Sequence, residues 1–167
     1  ALGGYRVGRH KQYLMNQINE MYRIDTLTGL RNRRGFDLEY REMLLEKTED
    51  ESLTVMLVDL DGLKYINDNY GHKEGDFAIY TVAKAMKKVC PEGSIFTRFG
   101  GDEMMAVCKG KHDIDQLKAS FYGYFDDFNA KSDKKYDVLA SMGVYHTGED
   151  DDLSFEGIIE KTDVLMY

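Results

Sequence analysis

The run Leu53-Thr54-Val55-Met56-Leu57-Val58-Asp59-Leu60 constrains the fold more than any other stretch of the chain. It is rich in β-branched and aliphatic residues, with no polar alternation until Asp59. That pattern reads as a strand buried on both faces, and such a strand needs helices above and below its sheet. Asp59 and Asp61 then fall at the carboxyl end of the strand, where a sheet opens to solvent.

The neighbouring segments supply the cover. Asn32 can cap a helix carrying Phe36, Tyr40, Met43, Leu44 and Lys47 at helical spacing. A short helix is expected over Leu63 to Asn69, with a turn at Gly71. A longer one is expected from Asp76 to Cys90, with Phe77, Tyr80, Ala83 and Met86 on one side. Ile95 to Phe99 and Met104 to Cys108 read as two strands joined through Gly100-Gly101, a hairpin signal. Asp113 to Ala130 reads as a helix, Asp137 to His146 as a strand, and Ser154 caps a last helix. The order strand, helices, strand, strand, helix, strand points to an α+β fold. Its centre is a mainly antiparallel, ferredoxin-like sheet, with the third strand between the first two.

That topology sets the hairpin tip beside the carboxyl end of the first strand. Asp59 and Asp61 are thus expected near Asp102 and Glu103. Several carboxylates at one sheet end repel unless cations neutralise them, which is how hard oxygen ligands hold Mg²⁺ or Mn²⁺. Two such metals can clamp a phosphoryl centre. Gly100 and Gly101 fit this chemistry, because a turn without side chains lets a phosphate approach the backbone. A solvated surface turn is the plainer reading of any single Asp-x-Asp; adjoining strand ends favour the site.

Composition narrows the classes further. A chain of 167 residues with 43% hydrophobic content, 12 Tyr and 8 Phe is one globular domain with enough material for a core. The net charge of -8 argues against a partner that is polymeric nucleic acid. No apolar run reaches the ~20 residues of a membrane helix, and no segment looks like a signal peptide. Two cysteines, Cys90 and Cys108, build no disulfide framework, so a cytoplasmic location is expected. Val7, Leu14 and Met21 recur every seven residues, with Ile18 on the same seam and Lys11 interrupting it. Residues 1–24 thus read as a helix, either a coiled-coil linker that signals to the domain or a surface helix packed on it.

The motifs taken together resemble the GGDEF-domain diguanylate cyclases. The resemblance is carried by Asp25-Thr26-Leu27-Thr28-Gly29-Leu30 with Asn32-Arg33-Arg34-Gly35-Phe36, then Asp59-Leu60-Asp61-Gly62-Leu63-Lys64 and Asn67-Asp68. It continues through Gly71-His72 and Gly75-Asp76 to Arg98-Phe99-Gly100-Gly101-Asp102-Glu103-Met104, and covers residues 25–167. It implies a palm-like sheet related to nucleotidyl cyclases, and condensation of two GTP into cyclic di-GMP and two pyrophosphates. A transient homodimer would bring the two GTP together, and an upstream sensor domain, in a parent chain that could be membrane-anchored, would control it. The alternative is a degenerate domain that binds GTP and regulates a neighbour without making product.

By the same resemblance, Asp59, Asp102, Glu103 and the Leu60 carbonyl hold Mg²⁺ or Mn²⁺, with Asp102 and Glu103 the catalytic acids. Gly62, Leu63, Lys64, Gly100 and Gly101 contact phosphates, while Asn67 and Asp76 read the guanine edge. The last assignment is chemically sound, since a carboxylate accepts from guanine N1-H and N2-H and adenine has no N1-H to offer. Read singly, Asn67 and Asp76 are helix caps and Lys64 a solvated cation. His72 in its turn, and Tyr122, Tyr124 and Phe125, carry no assigned role beyond structure. Three departures from the family pattern stand out. Met104 replaces an aromatic, a flexible residue filling a similar hole. Pro91 and Ser94 stand where an inhibitory Arg-x-x-Asp would hold product, so no inhibitory site is expected. The chain ends at Tyr167, before a lysine and an arginine that the family uses on phosphates, so slow turnover is expected of these residues alone.

Overall fold

The computed structural model describes residues 2–166, and the side chains of residues 6–18 and 21–164. In chain order the elements are α1 (Leu2–Met21), α2 (Arg33–Glu46), β1 (Leu53–Leu60), α3 (Leu63–Tyr70), α4 (His72–Val89), β2 (Ile95–Arg98), β3 (Glu103–Lys109), α5 (Ile114–Lys131), β4 (Ala140–His146) and α6 (Phe155–Met166). The four strands form one sheet in the order β2-β3-β1-β4. Every neighbouring pair is antiparallel, and β3 lies between β2 and β1 as its sequence order requires.

Alternation along β1 explains its unbroken apolar run. Met56, Val58 and Leu60 point to one face, where Met104, Ala106, Met142 and Val144 join Ile66, Val82, Met86, Phe121 and Phe125 from α3, α4 and α5. Leu53, Val55 and Leu57 point to the other, where Met105 and Val107 meet Phe36, Tyr40, Met43, Phe155 and Ile158 from α2 and α6. Each fully buried side chain of this size contributes about 1.5–3 kcal/mol, so β1 anchors both layers. Met104 is wholly buried in the first layer.

The caps fall where the residue types put them. Asn32 Oδ1 accepts from Gly35 N at 2.9 Å, Asp113 Oδ1 from Gln116 N at 3.0 Å, and Ser154 Oγ from Gly157 N at 3.1 Å. Two boundaries differ from expectation. The long helix α4 begins at His72, not Asp76, because Gly71 (φ 93°) turns the chain straight from α3 into it. Asp76 is therefore inside the helix and caps nothing. On the same helix Tyr80 is exposed, and Ala78, Ile79 and Val82 take the buried face with Ala83 and Met86. Strand β4 begins at Ala140 rather than Asp137. Ahead of it, the Asn129 amide bonds both Val138 N and Val138 O at 2.9 Å and replaces the sheet ladder there.

On α1 the seam residues Val7 (69%), Leu14 (43%), Ile18 (47%) and Met21 (74%) are exposed, so that face is not packed on its own domain. The root of the helix is tied down. Asn32 Nδ2 donates to Tyr22 O at 2.6 Å and Asn32 N to Arg23 O at 2.8 Å. No helix among the described residues is long and apolar enough to cross a membrane.

Candidate functional site

The β1–β3 register sets Asp59 directly opposite Glu103, with Asp102 in the turn just before. The Asp102 carbonyl accepts from Leu60 N at 3.0 Å, which draws the turn against the end of β1. Burial, and then the charges of Asp59, Asp102 and Asp163, push the Glu103 carboxyl above the ordinary glutamate value. Asp163 reaches this group from α6. Its only trace in the sequence is an acid after the buried Thr162, which no motif marks.

Asp61 departs from expectation. Its carboxylate accepts from Ser141 Oγ at 3.0 and 3.1 Å, so it is drawn to β4, on the far side of β1 from the β3 acids. Gly100 also has a more local reason than phosphate access. A Cβ there would stand 2.6 Å from Glu103 Oε2, so the bare backbone lets the Glu103 carboxylate fold back over the turn. At Gly101 a Cβ would meet nothing within 4 Å, and that part of the turn is open.

Arg98, the last residue of β2, holds the same turn from behind. Its Nε and Nη2 donate to Gly101 O at 3.2 and 2.8 Å, and Nη1 donates to Asp25 Oδ1 at 3.1 Å. Asp25 Oδ2 in turn accepts from Thr28 N at 2.9 Å and Thr28 Oγ1 at 2.6 Å. Burial would raise the Asp25 carboxyl, but the Thr28 bonds and Arg98 outweigh it and hold it below the usual aspartate value. This bracket joins the root of α1 to the glycine turn.

The donor chemistry fits a hard divalent cation. Asp59, Asp102 and Glu103 offer carboxylate oxygens and Leu60 a carbonyl, and after burial it is the neighbouring acids that keep the Glu103 carboxyl raised. Among the described residues no three such side chains converge closely enough to cage an ion by themselves. Mg²⁺ suits that openness, because it takes one or two carboxylates with waters and phosphate oxygens.

Beside the acids, Gly62 (φ 72°) caps α3 without a side-chain hydrogen bond. The first N–H groups of the helix, from Leu63 and Lys64, are thereby left for an anion at the positive end of the helix dipole. Lys64 is exposed. Further along the same helix Asn67 is half-buried, and Asp76, on α4 across the α3–α4 joint, is exposed. Glu74 braces that joint through Lys134 Nζ at 2.8 Å and the Tyr136 hydroxyl at 2.8 Å. A cavity of about 410 Å³ borders Asp61, Gly62, Tyr65 and Tyr136. A larger one, about 580 Å³ between Tyr145 and α6, touches none of the acids on β1 and β3. It has no part in the site, since neither the β1 and β3 acids nor the glycine turn line it.

The remaining candidates are structural. His72 opens α4, the Tyr122 hydroxyl accepts from Met142 N at 3.1 Å, and Phe125 packs edge-on against Phe121. In the Pro91–Ser94 turn, Ser94 N and Oγ both donate to Pro91 O, so the turn closes on itself.

An antiparallel β2-β3-β1-β4 sheet between two helical layers, with acids and a glycine turn at one end, defines an α+β domain with a ferredoxin-like sheet. The chain belongs to the family described as diguanylate cyclase, GGDEF domain, whose model matches residues 22–167. It is 32% identical over 149 residues to the diguanylate cyclase VdcA of Vibrio cholerae, covering 86% of this chain and 42% of that protein. It is 30% identical over 160 residues to an uncharacterized membrane protein of Staphylococcus saprophyticus, covering 92% of this chain and 45% of the other. The chain thus spans less than half the length of these relatives. In fold it is similar to the coiled coil and GGDEF domain of DgcB from Caulobacter crescentus, solved in complex with c-di-GMP. The TM-score is 0.81 at 22% identity, over 99% of this chain and 88% of that one.

Proposed function

We propose that this domain is the cyclase output of a longer signalling protein, condensing two GTP into cyclic di-GMP. The observation that carries the reading is the Asp59–Glu103 pair facing across β1 and β3, with Asp102 beside it and the bare turn against it. The N–H groups at the start of α3, with Lys64, would hold the triphosphate. Asn67 and Asp76 would select guanine over adenine. Asp102 and Glu103 would orient the 3'-hydroxyl of the ribose. Each 3'-hydroxyl would give up its proton to solvent as O3' bonds to the α-phosphorus of the GTP held by a second copy, and the bond from that phosphorus to pyrophosphate would break. Mg²⁺ or Mn²⁺, held by Asp59, Asp102, Glu103 and the Leu60 carbonyl, would supply charge neutralisation on the triphosphate. The exposed seam of α1 fits pairing with a second copy, so residues 1–24 serve as the signalling linker. Regulation by an upstream sensor, and membrane anchoring of the parent chain, accord with relatives that are more than twice as long, one of them called a membrane protein.

The test is pyrophosphate release from GTP and Mg²⁺, with the product identified by mass. Cyclic di-GMP at two pyrophosphates per product is expected. A second reading, GTP binding that regulates a neighbour without turnover, is favoured by the failure of any three acids among the described residues to converge. Saturable GTP binding with no pyrophosphate from the full-length protein would establish it instead.

A further inference from the structure

Gly75 lies in the first turns of α4, buried against α3. A Cβ built on it would stand 1.8 Å from Asn67 Oδ1, 2.9 Å from Asn67 Cγ and 3.2 Å from Leu63 Cδ1. The first two distances are impossible for real atoms, so the Asn67 amide occupies the space that any side chain at residue 75 would need. The joint itself fixes this proximity: Gly71 N donates to Asn67 O at 3.0 Å and Gly75 N to Gly71 O at 3.2 Å. Asp76 is the next residue, exposed, with its side chain leaving the helix in a different direction.

We infer that Gly75 is a specificity-determining positioning residue: its missing side chain seats the Asn67 amide against α4, beside Asp76, so that both can address one base edge. The inference rests on the proposed reading of GTP as substrate. A methyl group at residue 75 would turn the amide out of its seat and press only on the flexible end of the Leu63 side chain, leaving Asp76 and the backbone N–H groups at the start of α3 in place. Glycine is a poor helix former, so its presence inside α4 calls for a reason of this kind. Alanine there should favour the helix, and a loss of base selection would not be a by-product of unfolding.

The experiment measures equilibrium binding of GTP and of ATP, each with Mg²⁺, to four forms: the parent sequence, Gly75→Ala, Asn67→Ala and the double variant. Thermal unfolding is followed in parallel. Gly75→Ala should weaken GTP about five- to tenfold, the scale of one lost hydrogen bond, and leave ATP and the unfolding midpoint nearly unchanged. Asn67→Ala should give the same loss. In the Asn67→Ala background the clash with the amide is gone and only the flexible end of Leu63 need shift, so adding Gly75→Ala should change little further. That comparison holds even if Gly75→Ala alone folds poorly. The inference is overturned if Gly75→Ala keeps full preference for GTP, if both nucleotides weaken together, or if Gly75→Ala still weakens GTP once Asn67 is alanine. Should the parent sequence bind GTP and ATP alike, the proposed substrate is wrong and the inference fails with it. The parent's own selectivity therefore separates the two failures.

Discussion

Replacing Glu103 by glutamine removes one charge from a group of four acids and leaves the backbone of the turn alone. The Glu103 carboxyl titrates above its ordinary value of 4.5 in the folded chain. As pH rises from that value through the raised one, the folded state therefore loses stability from this group. Without divalent ions, Glu103→Gln should melt at a higher temperature than the parent at neutral pH. The gain should vanish by about pH 3, where the carboxyl is protonated in the folded and unfolded chain alike. Melts at the two pH values check the sign, and an equal gain at both would refute it. Asp59→Asn should abolish Mg²⁺-dependent GTP binding while keeping or slightly raising the unfolding midpoint; unchanged Mg²⁺ affinity by calorimetry would remove Asp59 from the site. Met104→Ala is a pure packing test. Met104 is fully buried among Val58, Met86 and Phe121, so the change should cost about 2–5 kcal/mol in urea unfolding.

At the scale of elements, the Arg98 bracket makes its own prediction. Arg98 and Asp25 are mostly buried, with 17% and 21% of their side chains exposed. Arg98→Ala should destabilise the fold by about 1.5–3 kcal/mol, as expected for hydrogen bonds to a charged group. Hydrogen exchange should show the Gly100–Gly101 turn loosened more than the β1–β3 ladder. Elements also show what a sequence can disclose. Strand β1 was legible to the residue, because burial on both faces leaves an uninterrupted apolar run. The start of α4 was not, because Asp76 reads as a cap, whereas Gly71 turns the chain straight from α3 into the helix at His72. The start of β4 was masked because a side chain, Asn129, stands in for a neighbouring strand. The nearness of Asp59 to Asp102 and Glu103 was legible from strand order. Asp163 and the Asp25–Arg98 pair come from segments 60 and 73 residues away from Glu103 and Asp25 respectively, and no local pattern encodes such encounters. Asp61 was misplaced because Ser141 lies 80 residues further along and competes for it.

For the whole molecule, the exposed seam of α1 predicts dependence on concentration. If two copies must meet, turnover per protomer should rise with protein concentration until pairing saturates. Leu14→Glu should lower turnover at a fixed low concentration without changing the unfolding midpoint of the globular part. Pyrophosphate release across a dilution series, alongside sedimentation, checks this; turnover strictly proportional to protein, unaffected by Leu14→Glu, would exclude the pairing.

Mechanics adds a consequence of the way α1 is rooted. A helix of 20 residues is a rod about 30 Å long. Its root is bolted at Tyr22 and Arg23, and Asp25 grips the arginine that holds the glycine turn. A tilt of about 10° at the root sweeps the distant tip through about 5 Å over that length. Bonds at the root worth about 1–2 kcal/mol would then yield to a sideways force of only about 20 pN applied at the tip. The rod is a long crank on a short axle: weak, wide movements at its outer end become small, forceful displacements within one side chain of Gly101.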